Sequence, residues 1–193
     1  YPTVELFING KSQGKRTKDL SVTVDDTEND EARRALARQQ RYRLMWMDVR
    51  YEPGELKAVA YDAQGRKRKE TVVRTAGEPY RLVLRADKDT LNAGLRDEDL
   101  AFVTVSVVDR EGNLCPDAQH EVKFSVRGTG YYKAGANGNP VCLEPFGRPQ
   151  MPVFNGQMTA IVAENGETGT VRLKASARGL KPAELVLRVV RPE

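Results

Sequence analysis

The sequence holds one histidine, His120, and two cysteines, Cys115 and Cys142, so nucleophilic or metal chemistry has few places to start. A Ser-His-Asp or Cys-His arrangement needs an imidazole as general base, and only His120, at the start of an expected strand, could supply it. No G-x-S-x-G elbow is present, and Cys115 lies in an expected turn five residues upstream. A lone histidine at a strand end reads as structural. One histidine and two separated cysteines do not close a zinc site, and neither cysteine belongs to a C-x-x-C pair. The 27 positions between Cys115 and Cys142 are short for the inter-sheet bridge of antibody-like domains. They read as two partly buried thiols, with a disulfide in an oxidising compartment as the alternative.

Phosphate and sugar chemistry fare little better. Gly128-Thr129-Gly130 begins like a dinucleotide loop, but Lys133 stands where the third glycine belongs and no helix is expected after it. Those glycines read instead as tight turns that need positive φ. Carboxylates are plentiful, yet no spacing sets a pair of them across a cleft. Two aromatic pairs remain as candidate carbohydrate contacts, Tyr131 with Tyr132 beside the glycine-rich stretch and Trp46 with Tyr51. No catalytic residue, cofactor-binding residue or metal ligand is assigned, and no cofactor is expected.

The elements that would carry these residues are short strands. Val4 to Ile8, the turn Asn9-Gly10 and Lys11 to Arg16 form a hairpin signal, since both turn residues tolerate positive φ. Residues 20–24 alternate as a half-buried strand should, and strands are also expected over 42–49, 56–61 and 70–74. Between them, Tyr51-Glu52-Pro53-Gly54 and Asp62-Ala63-Gln64-Gly65 are turn signals. Residues 25–40 interrupt the pattern. An acidic stretch precedes an Ala- and Arg-rich one, which matches a helix dipole and reads as a short surface helix or a mobile loop. After Ala76-Gly77-Glu78-Pro79, taken as a linker, about seven further short strands follow with turns between them. The expected fold is all-β, as two tandem immunoglobulin-like β-sandwiches over residues 1–76 and 77–193. No segment is long enough for the crossover helices of a parallel sheet.

Composition agrees with packed globular domains, at 39% hydrophobic and 30% charged residues. No run approaches the roughly 18 apolar residues of a membrane helix. No charged-then-apolar leader opens the chain, so the expectation is a mature or excised segment. The net charge of +4 is uneven: Lys+Arg against Asp+Glu is 16 to 12 up to Ala76 and 15 to 15 from Gly77 onward. Arg66 to Lys69 supplies much of the excess. Without flanking aromatics it reads as a solvated hairpin edge rather than a nucleic-acid surface.

Several stretches resemble the C-terminal region of glycoside hydrolase family 2 enzymes, the bacterial β-galactosidase-like group. They are V-E-L-F-I-N-G-K-S-Q-G at Val4 to Gly14, W-M-D-V-R-Y-E-P-G-E-L-K-A-V-A-Y-D at Trp46 to Asp62, and R-T-A-G-E-P at Arg74 to Pro79. Further on come D-L-A-F-V-T-V-S-V-V-D at Asp99 to Asp109, G-A-N-G-N-P at Gly135 to Pro140, E-P-F at Glu144 to Phe146 and F-N-G at Phe154 to Gly156. The segments span nearly the whole chain in the family's order.

The resemblance implies part of a larger retaining hydrolase of β-galactosides or similar sugars. Its catalytic (β/α)₈ barrel would hold two glutamates, the acid/base one directly after an asparagine. No Asn-Glu dipeptide occurs here, so no catalytic residue carries over. The expected role is a non-catalytic accessory region that packs on the barrel of the same polypeptide. Glycans are a further candidate partner, with any oligomer formed through the parent, and no nucleic acid or membrane is expected. The implied setting is periplasmic or extracellular. The alternatives are a carbohydrate-binding module, which predicts an exposed aromatic platform, and a surface spacer or adhesion array.

Overall fold

The computed structural model describes residues 1–94 and 97–192. The chain divides into two compact units, Tyr1–Thr75 and Ala76–Glu193, and strands dominate both.

In the first unit, β1 (Thr3–Ile8) and β2 (Lys11–Thr17) form the expected hairpin. Its turn residues Asn9 and Gly10 sit at φ 47° and 80°, the left-handed values that type I′ geometry demands. β3 (Glu55–Tyr61) and β4 (Lys67–Arg74) complete one antiparallel sheet in the order β2-β1-β3-β4. Register between β1 and β2 shifts between Glu5 and Phe7, and Gly14, at φ 91°, lies in that irregularity. The Arg66 to Lys69 run falls at the start of the outer strand β4. Arg66 and Arg68 pair there with Asp62, and Lys67 with Glu70.

Two strand expectations fail in this unit. Residues 20–24 form turn and irregular chain, because the carbonyls of Leu20 and Val22 accept from the Arg41 guanidinium at 2.7 and 2.8 Å rather than from a neighbouring strand. Of the expected strand 42–49, Tyr42 ends the helix α1 (Glu31–Tyr42) and residues 43–49 are irregular chain and turn. Asp30 caps α1 by accepting from the amides of Ala32 and Arg33, and the Arg43 amide closes the far end on Gln39 O. The helix buries no side chain. Arginines tie it down instead: Arg41 to the 20–22 carbonyls, Arg38 to Asp26 and Arg33 to Asp30.

The second unit is a two-layer sandwich. One sheet runs β10-β8-β12-β13-β6, from Gln150–Pro152, Glu121–Gly128, Gly169–Ala177, Ala183–Val190 and Thr90–Asn92. The other runs β5-β7-β11-β9, from Arg81–Ala86, Leu100–Val108, Gln157–Glu164 and Gly130–Ala136. All pairings are antiparallel except β13 with β6. Alternation sets the core: Ala101, Val103, Val105 and Val107 of β7 and Val171, Leu173 and Ala175 of β12 are fully buried. Leu187, Val122 and Val162 join them from β13, β8 and β11.

The glycine-rich stretch corrects an expectation. Residues 130–136 of it form the strand β9 rather than turns. Gly128 and Gly138, at φ 93° and 75°, do use glycine's conformational freedom, but Gly130 and Gly135 between them do not. A Cβ at Gly130 would meet Val171 Cγ2 at 2.7 Å, and one at Gly135 would collide with the Tyr132 hydroxyl. Both are small because other atoms pass close by.

Candidate functional site

Adjacent residues on a strand face opposite sides of the sheet, and β9 separates Tyr131 from Tyr132 in this way. Tyr132 turns inward. Its ring stacks on Phe124 with centroids 5.4 Å apart and planes 20° from parallel. Among the described residues its buried hydroxyl has no hydrogen-bond partner, and burial pushes its pKa up to about 12. Gly135 supplies the space that the hydroxyl occupies. Tyr132 is therefore part of the sandwich interior and offers no ring face to a ligand together with Tyr131.

Tyr131 faces outward on β9, an outer strand of its sheet. Its hydroxyl donates to Glu98, and Lys133, two residues along the same face, bonds the other Glu98 oxygen at 2.5 Å. The Lys133 ammonium lies 5.7 Å from the Tyr131 ring centroid. The hydrogen bond from Lys133, then that from Tyr131, lowers the Glu98 pKa, so the cluster holds a carboxylate, an ammonium and an aromatic ring at one surface. Those are groups that grip sugar hydroxyls. Strand alternation alone points Tyr131 and Lys133 to one side; Glu98 arrives from the chain before β7, which no local pattern indicates.

Trp46 and Tyr51 are not brought together either. The Trp46 indole N–H donates to Gly14 O at 3.1 Å, using a carbonyl in the irregular part of β2, and Arg16 stacks 5.9 Å from its ring. Tyr51 is 76% exposed and its hydroxyl lies 3.0 Å from Thr75 Oγ1, just past β4. Strands β2 and β4 are the two outer strands of the sheet, with β1 and β3 between them. An open cleft of about 460 Å³ lies beside β2 and the end of α1, lined by Arg16, Asp19, Gln39, Gln40, Arg43 and Met47 among others. Neither aromatic lines it.

The backbone of His120 and the sulfurs of both cysteines have partners within the fold. His120 precedes β8, where its carbonyl accepts from the Val153 amide at 3.0 Å. The buried Cys115 has its sulfur 3.6 Å from Gly77 O, and desolvation, with Asp109 and Glu78 nearby, raises its thiol pKa. Cys142 accepts from the Asn137 side chain in the segment after β9. Composition and spacing gave no warning of Asp109, only 1% exposed at the end of β7. It accepts from the amides of Gly77 and Asn113, both at 2.8 Å, and from the Asn113 side chain at 2.9 Å. Those bonds, the Gly77 amide foremost, hold its pKa down to about 2.

The family profile described as "Glycoside hydrolase family 2 C-terminal domain 5" matches residues 82–186, and a domain of unknown function (DUF4982) matches residues 1–69. Among curated proteins, the chain is 37% identical over 182 residues to "Beta-galactosidase BoGH2A" of Bacteroides ovatus, covering 94% of this chain and 19% of that protein. A "Beta-glucuronidase" of Formosa agariphila is 27% identical over 187 residues, covering 96% and 17%. Among solved structures, a glycosyl hydrolase family 2 member from Bacteroides cellulosilyticus superposes with TM-score 0.79 at 25% identity, over 98% of this chain and 22% of that one. The chain thus spans about a fifth of the length of the relatives it matches.

Proposed function

The chain belongs to glycoside hydrolase family 2, where it corresponds to a C-terminal region of β-galactosidase-like enzymes, and from that premise we propose that it is a non-catalytic accessory region. In this reading it packs on the catalytic barrel of the same polypeptide and stabilises it. The parent hydrolyses β-galactosides or related β-glycosides with retention, in a periplasmic or extracellular setting. The observation that carries the reading is coverage: nearly the whole of this chain aligns to 19% of a β-galactosidase, which leaves the bulk of such an enzyme outside it. The test is hydrolysis of a panel of chromogenic β-glycosides by the chain alone and by its full-length parent. Activity in the parent with none in the chain is expected and identifies the sugar. Turnover by the purified chain alone would sink the proposal.

A second reading, direct glycan contact, draws on the Tyr131, Glu98 and Lys133 cluster. Among the described residues the candidate aromatics do not form a shared platform, so contact would rest on Tyr131 alone. Affinity electrophoresis in gels containing a polysaccharide tests it. Retardation of the chain that Tyr131→Ala removes would support contact; unchanged mobility of both proteins would end this reading.

A further inference from the structure

Between β9 and β10 the chain makes a long excursion that puts apolar side chains into water. Val141, Leu143 and Phe146 are 78%, 96% and 67% exposed within six residues. Such a concentration on one surface segment marks a contact site more often than chance scatter does.

The segment is also held in shape. The Asn137 side chain donates to Pro152 O at 2.9 Å and accepts from the Asn139 amide at 3.0 Å. Asn139 in turn accepts from the Val141 amide through its side chain and from the Cys142 amide through its carbonyl, each at 3.1 Å. The Gly135 amide of β9 fixes Phe146 O at 2.8 Å, and Glu144 pairs internally with Arg148 at 3.0 Å. The one acid and one base of the segment thus satisfy each other, while the apolar side chains are left unpaired. A surface held in its presenting conformation loses little entropy when it is covered.

We propose that Val141, Leu143 and Phe146 form the surface by which this chain docks on the remainder of its own polypeptide. The proposal rests on the accessory reading above and names the contact that reading requires. Size decides the occupant. Three such side chains cover on the order of 400 Å². A free complex of separate chains needs roughly twice that on each partner. An intramolecular contact can hold with less, because covalent connection supplies an effective concentration in the millimolar range. Relatives that carry four-fifths of their length outside the matching region provide the connected partner. The chemistry it must present is an apolar, uncharged recess.

Hydrogen–deuterium exchange tests this on the full-length parent and on the 193-residue chain. Amides of residues 141–147 should exchange at least about tenfold more slowly in the parent. Leu143→Asp and Phe146→Ser, at side chains largely exposed in the chain alone, should leave its Tm unchanged and lower that of the parent. Equal exchange in both proteins would overturn the docking surface. So would a Leu143→Asp variant that destabilises the chain alone as much as the parent. Sedimentation of the chain as a dimer that Leu143→Asp dissolves would assign the patch to a second copy and overturn it likewise. A glycosidase-active parent whose loop stays open defeats this surface but not the accessory reading. A parent without glycosidase activity defeats the accessory reading, whatever the loop does.

Discussion

Asp109 shows how a single buried carboxylate can tie a chain segment to a sandwich. Its donors come from Asn113 in the following turn and from Gly77, 32 positions away. Because the folded pKa of about 2 lies below the unfolded value of 3.8, its stabilisation is fully present above about pH 4 and is lost as pH falls through about 2. Asp109→Asn should therefore lower stability at pH 7 and flatten its decline between about pH 4 and 2, measured by urea titration across that range. Tyr132 poses the opposite problem, a buried hydroxyl with nothing to bond. Tyr132→Phe should raise stability by up to about 1 kcal/mol, since an unmet buried donor costs about 1–3. Gly135→Ala should cost about 1–3 kcal/mol by driving a methyl into that hydroxyl, and Tyr132→Phe should recover part of the loss in the double variant.

Among the elements, the Asn9-Gly10 hairpin and the Pro53-Gly54 turn interlock. The Asn9 side chain donates to Pro53 O at 3.1 Å and accepts from the Glu55 amide at 2.7 Å. Gly54 sits at φ 133° with no room for a Cβ against Asn9. Gly54→Ala should thus unsettle both turns at once, by about 1–3 kcal/mol, and Trp46 fluorescence would report it because the protein has no other tryptophan. In the second unit, β12 is flanked by β8 and β13 and carries the fully buried Leu173. Leu173→Ala should cost about 2–5 kcal/mol in urea denaturation followed by far-ultraviolet circular dichroism. A substitution at Phe102, on the solvent side of β7, should change stability by less than about 0.5 kcal/mol. The contrast between the two checks that burial rather than strand content sets the energetics.

For the whole molecule, the accessory reading makes its own demand on the parent. If the region only supports the barrel, deleting residues 1–193 should lower the temperature at which the parent loses activity, while turnover at low temperature persists. Residual activity after graded heating measures this. Full activity with unaltered heat resistance would argue against a supporting role. A complete loss of turnover at every temperature would mean that the region contributes to the active site directly.

The sequence by itself determined the all-β class and the β1–β2 hairpin, because these follow from local φ preference and from short alternating runs. It also carried the family, through motifs spread along the chain. Only the tertiary structure decided the course of residues 20–24 and 42–49. At Leu20 and Val22, Arg41, far along α1, supplies the hydrogen bonds that a neighbouring strand would have supplied, and a period-two pattern cannot reveal such a partner. The fates of the aromatic candidates were divided in the same way. Alternation alone could have parted Tyr131 from Tyr132, but the fold was needed to give Trp46 and Tyr51 their separate partners, Gly14 O and Thr75 Oγ1. Asp109 owes its Gly77 bond, and Glu98 its Tyr131 and Lys133 partners, to groups more than 30 residues away, and long-range proximity is a property of the folded chain.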